Sequence, residues 1–175
     1  METRLAVASK RDVRAYTGRP VPADAERRIL DAGRLAGTAR NRQPVRFVIP
    51  EGAALPAVAD AVYVAGNVLD AGLVVALVVT PGGGVVDFDA GRVAQNMMLA
   101  AWDEGIGSCP NGVADRAALD AALGVELPER VVIVLSFGEP RGHRDPARRS
   151  PERWSERADR HPLGALVRRV GGSGS

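Results

Sequence analysis

DFDAGRVAQNMMLAAWDEGIGSCPNGV, residues 87–113, is an apolar helix running into a glycine-rich turn. Val93, Met97 and Ala101 recur every fourth residue and Gly105 acts as the stop, so the spacing predicts a helix over Phe88–Glu104. Gln95 and Asn96 interrupt it, and two amides on a buried face would have to find partners. Beyond the helix, Gly105 and Gly107 let the backbone come close to a flat ligand. Cys109 reads as a small packed residue rather than a reactive thiol. Val93, Met97, Met98, Leu99, Ala101 and Trp102 spread around most of the helix. That is more apolar surface than a lone domain of this size would cover, and it predicts a second copy packed against it.

On either side of this stretch, helical and extended patterns alternate. Pro20-Val21-Pro22 leads into an amphipathic helix over Ala23–Ala36, with Ile29, Leu30, Gly33 and Ala36 on one side and Arg27, Arg28 and Arg34 on the other. Residues 46–50 read as a short strand and Leu55–Ala65 as a helix. Gly72–Thr80 and Arg130–Phe137 (RVVIVLSF) read as buried strands, and Ala114–Leu123 and Pro151–Arg160 as short helices. Helices packed on a sheet, in an α/β or α+β arrangement, follow from this order. One domain is expected over residues 1–170, ending in a C-terminal arm, with Gly-Gly-Ser-Gly-Ser at 171–175 as a flexible tail.

Composition excludes several function classes. The longest apolar run, Ala71–Val79, is too short to span a bilayer, so no membrane role is expected. A single Cys fits a reducing compartment, and with no secretory leader pattern the expected location is cytoplasmic. Residues 141–169 carry nine Arg against four acids, while the remainder holds 14 basic and 17 acidic residues. Such a basic tail could meet nucleic acid, a phosphate-bearing cofactor or an acidic surface. No helix-turn-helix, zinc-finger or RNA-sheet pattern accompanies it, which argues against nucleic acid. Dinucleotide and P-loop glycine patterns and the nucleophile elbow are also missing. Both histidines, His143 and His161, lie in the basic tail, far in sequence from Cys109, and metal-ligand spacing is lacking. Chemistry in such a chain would have to come from a bound cofactor.

Four segments point that way. In SKRDVRAYTGRPVP, residues 9–22, Lys10, Arg11 and Arg14 fall within five residues and suit phosphate oxygens. A solvated charge cluster is the alternative for that segment alone. In AGRLAGTARNRQPVRF, residues 32–47, Asn41 and Gln43 can donate to and accept from the mixed edge of a heteroaromatic ring, just before Pro44, where an extended backbone is expected. Here a helix C-cap and turn is the alternative. The third segment is the opening stretch, and the fourth is Arg148-Arg149-Ser150-Pro151, a further cationic pair.

Taken in order over residues 8–155, these segments resemble the nitroreductase-like flavoproteins. That family opens on an R-R-S-V-R-x-F/Y element followed by P-V-P. It continues through A-P-S-x-x-N-x-Q-P-W-x-F and a D-x-G-x-x-x-Q-N-x-x-L-x-A helix ending in G-L-G-S-C, then a V-I-V-L-x-x-G-x-P strand and a late basic pair. The resemblance implies an α+β fold: a mixed, mostly antiparallel sheet with helices on both faces, a three-layer α-β-α sandwich. It also implies a homodimer with FMN at the subunit interface, NAD(P)H as reductant, and a small-molecule acceptor such as a nitroaromatic or quinone. A flavin-sequestering protein, or a flavin-dependent dehydrogenase of a biosynthetic intermediate, are the alternative readings.

By the same resemblance Lys10, Arg11 and Arg14 would hold the FMN phosphate. Thr38, Ala39, Asn41 and Gln43 would contact the ring system, and Asn67 its pyrimidine edge. Pro110, Asn111 and Gly112 would approach the reactive ring nitrogen through their backbone, and Arg148 and Arg149 would return to the phosphate. No side chain is expected to act as catalyst. The chain departs from the family pattern at Asp12 (usually Ser), Gly37 (usually Pro) and Val45 (usually aromatic). It also replaces a helical insertion with the short Thr80–Asp89 connection.

Overall fold

The computed structural model describes residues 1–81, 85–142 and 145–170. The expected tail at 171–175, His143 and part of the Thr80–Asp89 connection lie outside them. The chain divides into two compact units, Lys10–Arg144 and a smaller one that joins Met1–Ser9 to the residues from Asp145 onward. The elements in order are α1 (Thr3–Ser9), α2 (Ala23–Arg34), β1 (Val45–Val48), α3 (Ala54–Asp60), α4 (Gly66–Leu69), β2 (Leu73–Val79), α5 (Val86–Asp103), β3 (Gly107–Asn111), α6 (Arg116–Leu123), β4 (Arg130–Gly138), α7 (Pro151–Glu156) and α8 (Leu163–Leu166). Turns of 3-10 helix occupy Ala39–Asn41 and Pro146–Arg148.

In the larger unit the strands lie in the order β1-β2-β4-β3, every pairing antiparallel. All seven residues of β2 are buried, as expected of a strand covered on both faces. Its side chains alternate between two cores. Leu73, Val75 and Leu77 join Leu135, Phe137 and the inner faces of α2 and α5. Val74, Ala76 and Val78 join Val131, Val134 and helices α3, α4 and α6. Helices therefore cover both faces, the expected α-β-α sandwich. Val131 and Val134 share a face despite being three residues apart, because the register between β2 and β4 shifts between Leu77 and Val78.

Two findings correct the reading of residues 87–113. Val93, Met97, Met98, Ala101 and Trp102 are all buried inside their own chain. The sheet, α2 and the Val13–Tyr16 segment cover them, so the apolar circumference of α5 does not itself call for a second copy. Gln95 and Asn96 are exposed rather than buried, and the Asn96 amide donates to the Ala32 carbonyl at 3.3 Å. The second correction is that GSCPN, read as a turn, is the edge strand β3. Its pairing with β4 outweighs a composition poor in strand formers, and an edge position tolerates Pro110.

In the smaller unit α1 packs on α7 and on the Pro146–Arg148 turn. Arg4 pairs with Glu152 at 2.9 Å, and the Trp154 indole donates to the Pro146 carbonyl at 2.8 Å. From α8 onward the arm is exposed, including Leu163, Leu166, Val167 and Val170.

Candidate functional site

The first cationic segment is held along the free edge of β3. Asp12 bridges Ser108 in parallel fashion, and the Val13 amide donates to the Ser108 carbonyl at 2.9 Å. Val13 and Tyr16 are buried against Trp102, which pins the backbone and leaves Arg14 exposed. Lys10 is largely buried. Its Nζ donates to Asp12 Oδ1 at 2.6 Å and lies 3.5 Å from Met98 Sδ on α5. Asp12 thus pairs with Lys10, which explains how a carboxylate is accommodated in a cationic segment. Arg11 donates to the Lys10 carbonyl at 2.8 Å.

Lys10, Asp12 and Arg14 surround Cys109, which is 1% exposed. Burial pushes the thiol above its ordinary value and Asp12 adds to this, while Arg14 and Lys10 pull the other way. The thiol therefore stays protonated at neutral pH, in keeping with a packed rather than nucleophilic residue.

Thr38 to Gln43 form a strained loop. Arg40, Asn41 and Gln43 have φ of 54°, 54° and 51°, in the left-handed region that costs a non-glycine residue on the order of 1–3 kcal/mol. Gln43 is therefore not extended before Pro44, contrary to expectation. Two anchors hold the loop. The Gln43 amide donates to Thr38 Oγ1 at 3.0 Å, and the Ala39 amide donates to Asp89 Oδ2 at 3.1 Å. Asp89 is 3% exposed, at the start of α5. Its part was missed in the sequence, although it opens the D-x-G element. Asn41 and Gln43 are exposed, and the Gln43 side-chain amide donates to the Asn41 carbonyl at 3.5 Å. Cavities of about 80 and 290 Å³ flank the loop, the first bordered by Thr38, Phe47 and Val93, the second by Ala39, Arg42 and Asp89.

The third group is a buried polar network. Asn67 Nδ2 donates to Asn111 Oδ1 at 3.1 Å. Asn111 Nδ2 lies 3.1 Å from the Cys109 carbonyl, 3.2 Å from the Val134 carbonyl and 3.1 Å from Ser136 Oγ. Tyr16, fully buried, closes the chain at 3.1 Å from Ser136 Oγ. Burial pushes its phenol well above the ordinary range, with the Ser136 hydrogen bond opposing. Asn67 and Asn111 are thus brought together and turned toward each other. Pro110 and Gly112 are exposed, and the Gly112 carbonyl accepts the Tyr63 amide at 3.1 Å. Ser108 Oγ is buried without a hydrogen-bond partner among the described residues.

Arg148 and Arg149 belong to the smaller unit and are exposed. The Arg149 guanidinium lies 4.9 Å from the centre of the Trp154 ring, within cation–π range. No group of His, Cys, Asp and Glu among the described residues could hold a metal ion. No described helix is long and apolar enough to cross a membrane.

The nitroreductase family model matches residues 7–80 and 84–139, most of the chain and all of the sheet. The chain belongs to the nitroreductase family. Solved structures agree on the fold. A nitroreductase family protein from Clostridium difficile 630 superimposes with a TM-score of 0.82 at 23% identity, over 98% of this chain and 99% of its own. A nitroreductase from Desulfovibrio desulfuricans, solved in complex with FMN, gives 0.82 at 23%, over 99% of each chain. A protein from Parabacteroides distasonis ATCC 8503, described as an NADH dehydrogenase/NAD(P)H nitroreductase, gives 0.83 at 19%, over 98% of this chain and 100% of its own. No curated protein sequence matches.

Proposed function

We propose that the chain is an FMN-dependent oxidoreductase acting as a homodimer, with each flavin held between two subunits. The residues present fit the group. Arg14 is exposed and, like Lys10, acts on Cys109, which suits the segment to a phosphate, and the unpartnered Ser108 hydroxyl lies in the same strand edge. Asn41 and Gln43 present exposed side-chain amides on a pre-strained loop, suited to the polar edge of a ring. When bound, FMN would accept a hydride equivalent from NAD(P)H and deliver it to an electron-poor acceptor such as a nitroaromatic or quinone. The chain's own part is to bind and orient. Lys10, Arg11 and Arg14 would hold the phosphate. Thr38, Ala39, Asn41 and Gln43, with the backbone of Pro110 and Gly112, would hold the ring. Asn67 and Asn111 would support that backbone from below.

The observation that carries the dimer is the placing of the two half-sites on α5. Lys10 meets that helix at Met98 and the ring loop meets it at Asp89. Nine residues at about 100° each put those contacts on opposite sides of the helix. The phosphate segment and the ring loop of one chain therefore approach α5 from opposite sides, which supports sites completed by two chains. The exposed Leu163, Leu166, Val167 and Val170 of the arm give a second copy apolar surface to cover. Sedimentation should show a dimer at micromolar concentration, and a stable FMN-loaded monomer would refute this arrangement.

The flavin reading is tested by binding. The purified protein should take up about one FMN per subunit. Arg14→Ala should weaken FMN by roughly 10–100-fold, the loss of a hydrogen bond to a charged group, and leave riboflavin nearly unchanged. A protein that fails to bind added FMN would overturn the proposal, and equal weakening of both ligands would assign Arg14 a structural role.

A further inference from the structure

At position 37 the family pattern has Pro and this chain has Gly, and the structure shows what uses the space. A Cβ built on Gly37 would lie 2.7 Å from an Arg92 terminal nitrogen and 3.4 Å from its guanidinium carbon. The Arg92 side chain therefore lies directly over the backbone at the root of the ring loop. Arg92 is one turn along α5 from Asp89, the residue that grips Ala39, so consecutive turns of the helix hold and cover the same loop. Arg92 is exposed, and its guanidinium lies 6.0 Å from the centre of the Phe88 ring. It makes no ion pair among the described residues, whereas Arg34 pairs with Asp31 and Arg46 with Glu129.

We infer that Arg92, seated on Gly37, forms an anion subsite at the ring loop. It would select a second reactant bearing a carboxylate or phosphate. The inference rests on the flavin reading for the place of the reacting ring, but the anion subsite itself does not. A planar guanidinium whose donors meet no acid is suited to bidentate capture of such a group. The anion would be either the acceptor's own carboxylate or a phosphate of the nicotinamide donor.

Calorimetric titration with benzoate and with benzamide, which differ in charge at similar shape, tests it. Wild-type protein should bind benzoate at least about tenfold more tightly than benzamide. Arg92→Ala should remove most of that preference without changing benzamide, and Arg92→Lys should retain part of it. Gly37→Ala should reproduce the loss by displacing the far end of a flexible side chain, which covers the case in which Arg92→Ala folds poorly. Equal affinities in wild type, or equal weakening of both ligands in Arg92→Ala, would overturn the subsite. Steady-state comparison of 4-nitrobenzoate with 4-nitrobenzamide, and of NADPH with NADH, then separates the sources. The Arg92 effect should fall on KM for whichever reactant carries the recognised anion, and an effect on none of them would count against the proposal. FMN content is measured on every variant. A protein without FMN would refute the flavin reading alone, since the benzoate titration would still decide the subsite.

Discussion

Gly72→Ala is expected to lower the thermal midpoint by roughly 6–12 °C, from a cost of about 3 kcal/mol at 2–4 °C per kcal/mol for a chain of this length. A Cβ at this position would lie 2.1 Å from the Arg19 carbonyl oxygen and 3.0 Å from the Val21 amide nitrogen. Both are backbone atoms, so no rotamer change can make room. The contact also cannot open freely. The Gly72 amide donates to the Phe137 carbonyl at 2.9 Å, and the Gly72 carbonyl accepts from the Val21 amide at 3.3 Å. Gly72 therefore stitches the entry of β2 both to β4 and to the segment that follows the Lys10–Arg14 cations. Scanning calorimetry is the check, and an unchanged midpoint would mean that the 19–21 segment moves aside at little cost. A destabilised variant should also bind FMN more weakly in proportion, because the phosphate segment would lose one of its tethers.

Asn111→Ala and Asn67→Ala are expected to behave differently although the two side chains touch. Asn111 serves the Cys109 and Val134 carbonyls and Ser136 Oγ as well as Asn67. Its removal leaves several buried groups unsatisfied, at about 3–4 kcal/mol. The Asn67 side chain donates to Asn111 Oδ1 and to no other group among the described residues, so Asn67→Ala should cost about 1–2 kcal/mol. Urea unfolding measures both. If Asn67→Ala proves the costlier, the order of dependence in the network is wrong. FMN titration adds a second discrimination. The family resemblance gives Asn67 a ligand contact, whereas its hydrogen bond in this structure faces inward. A large loss of FMN affinity at nearly unchanged stability would restore the ligand role, and a loss of stability with FMN affinity retained would mark Asn67 as support.

Much of the layer arrangement is legible in the sequence because periodicity is a local property. The seven apolar residues of β2, the 3.6-residue pattern of α2 and α5, and the RVVIVLSF run of β4 each announce their element without reference to the rest of the chain. The candidate cations at 10–14 and the amides at 41 and 43 are likewise visible by residue type. Three matters depended on tertiary structure. GSCPN becomes a strand only because β4 offers it a partner, and Lys10 and Asp12 meet on a segment that is bridged to the edge of that strand at Ser108. Asn67 and Asn111 stand 44 residues apart, and no local pattern could show that their amides meet. The apolar surface of α5 shows the same limit from the opposite direction. How much of that helix is apolar can be read residue by residue, but which molecule covers it depends on contacts far apart in the chain. Here the sheet, α2 and the Val13–Tyr16 segment supply them within one chain.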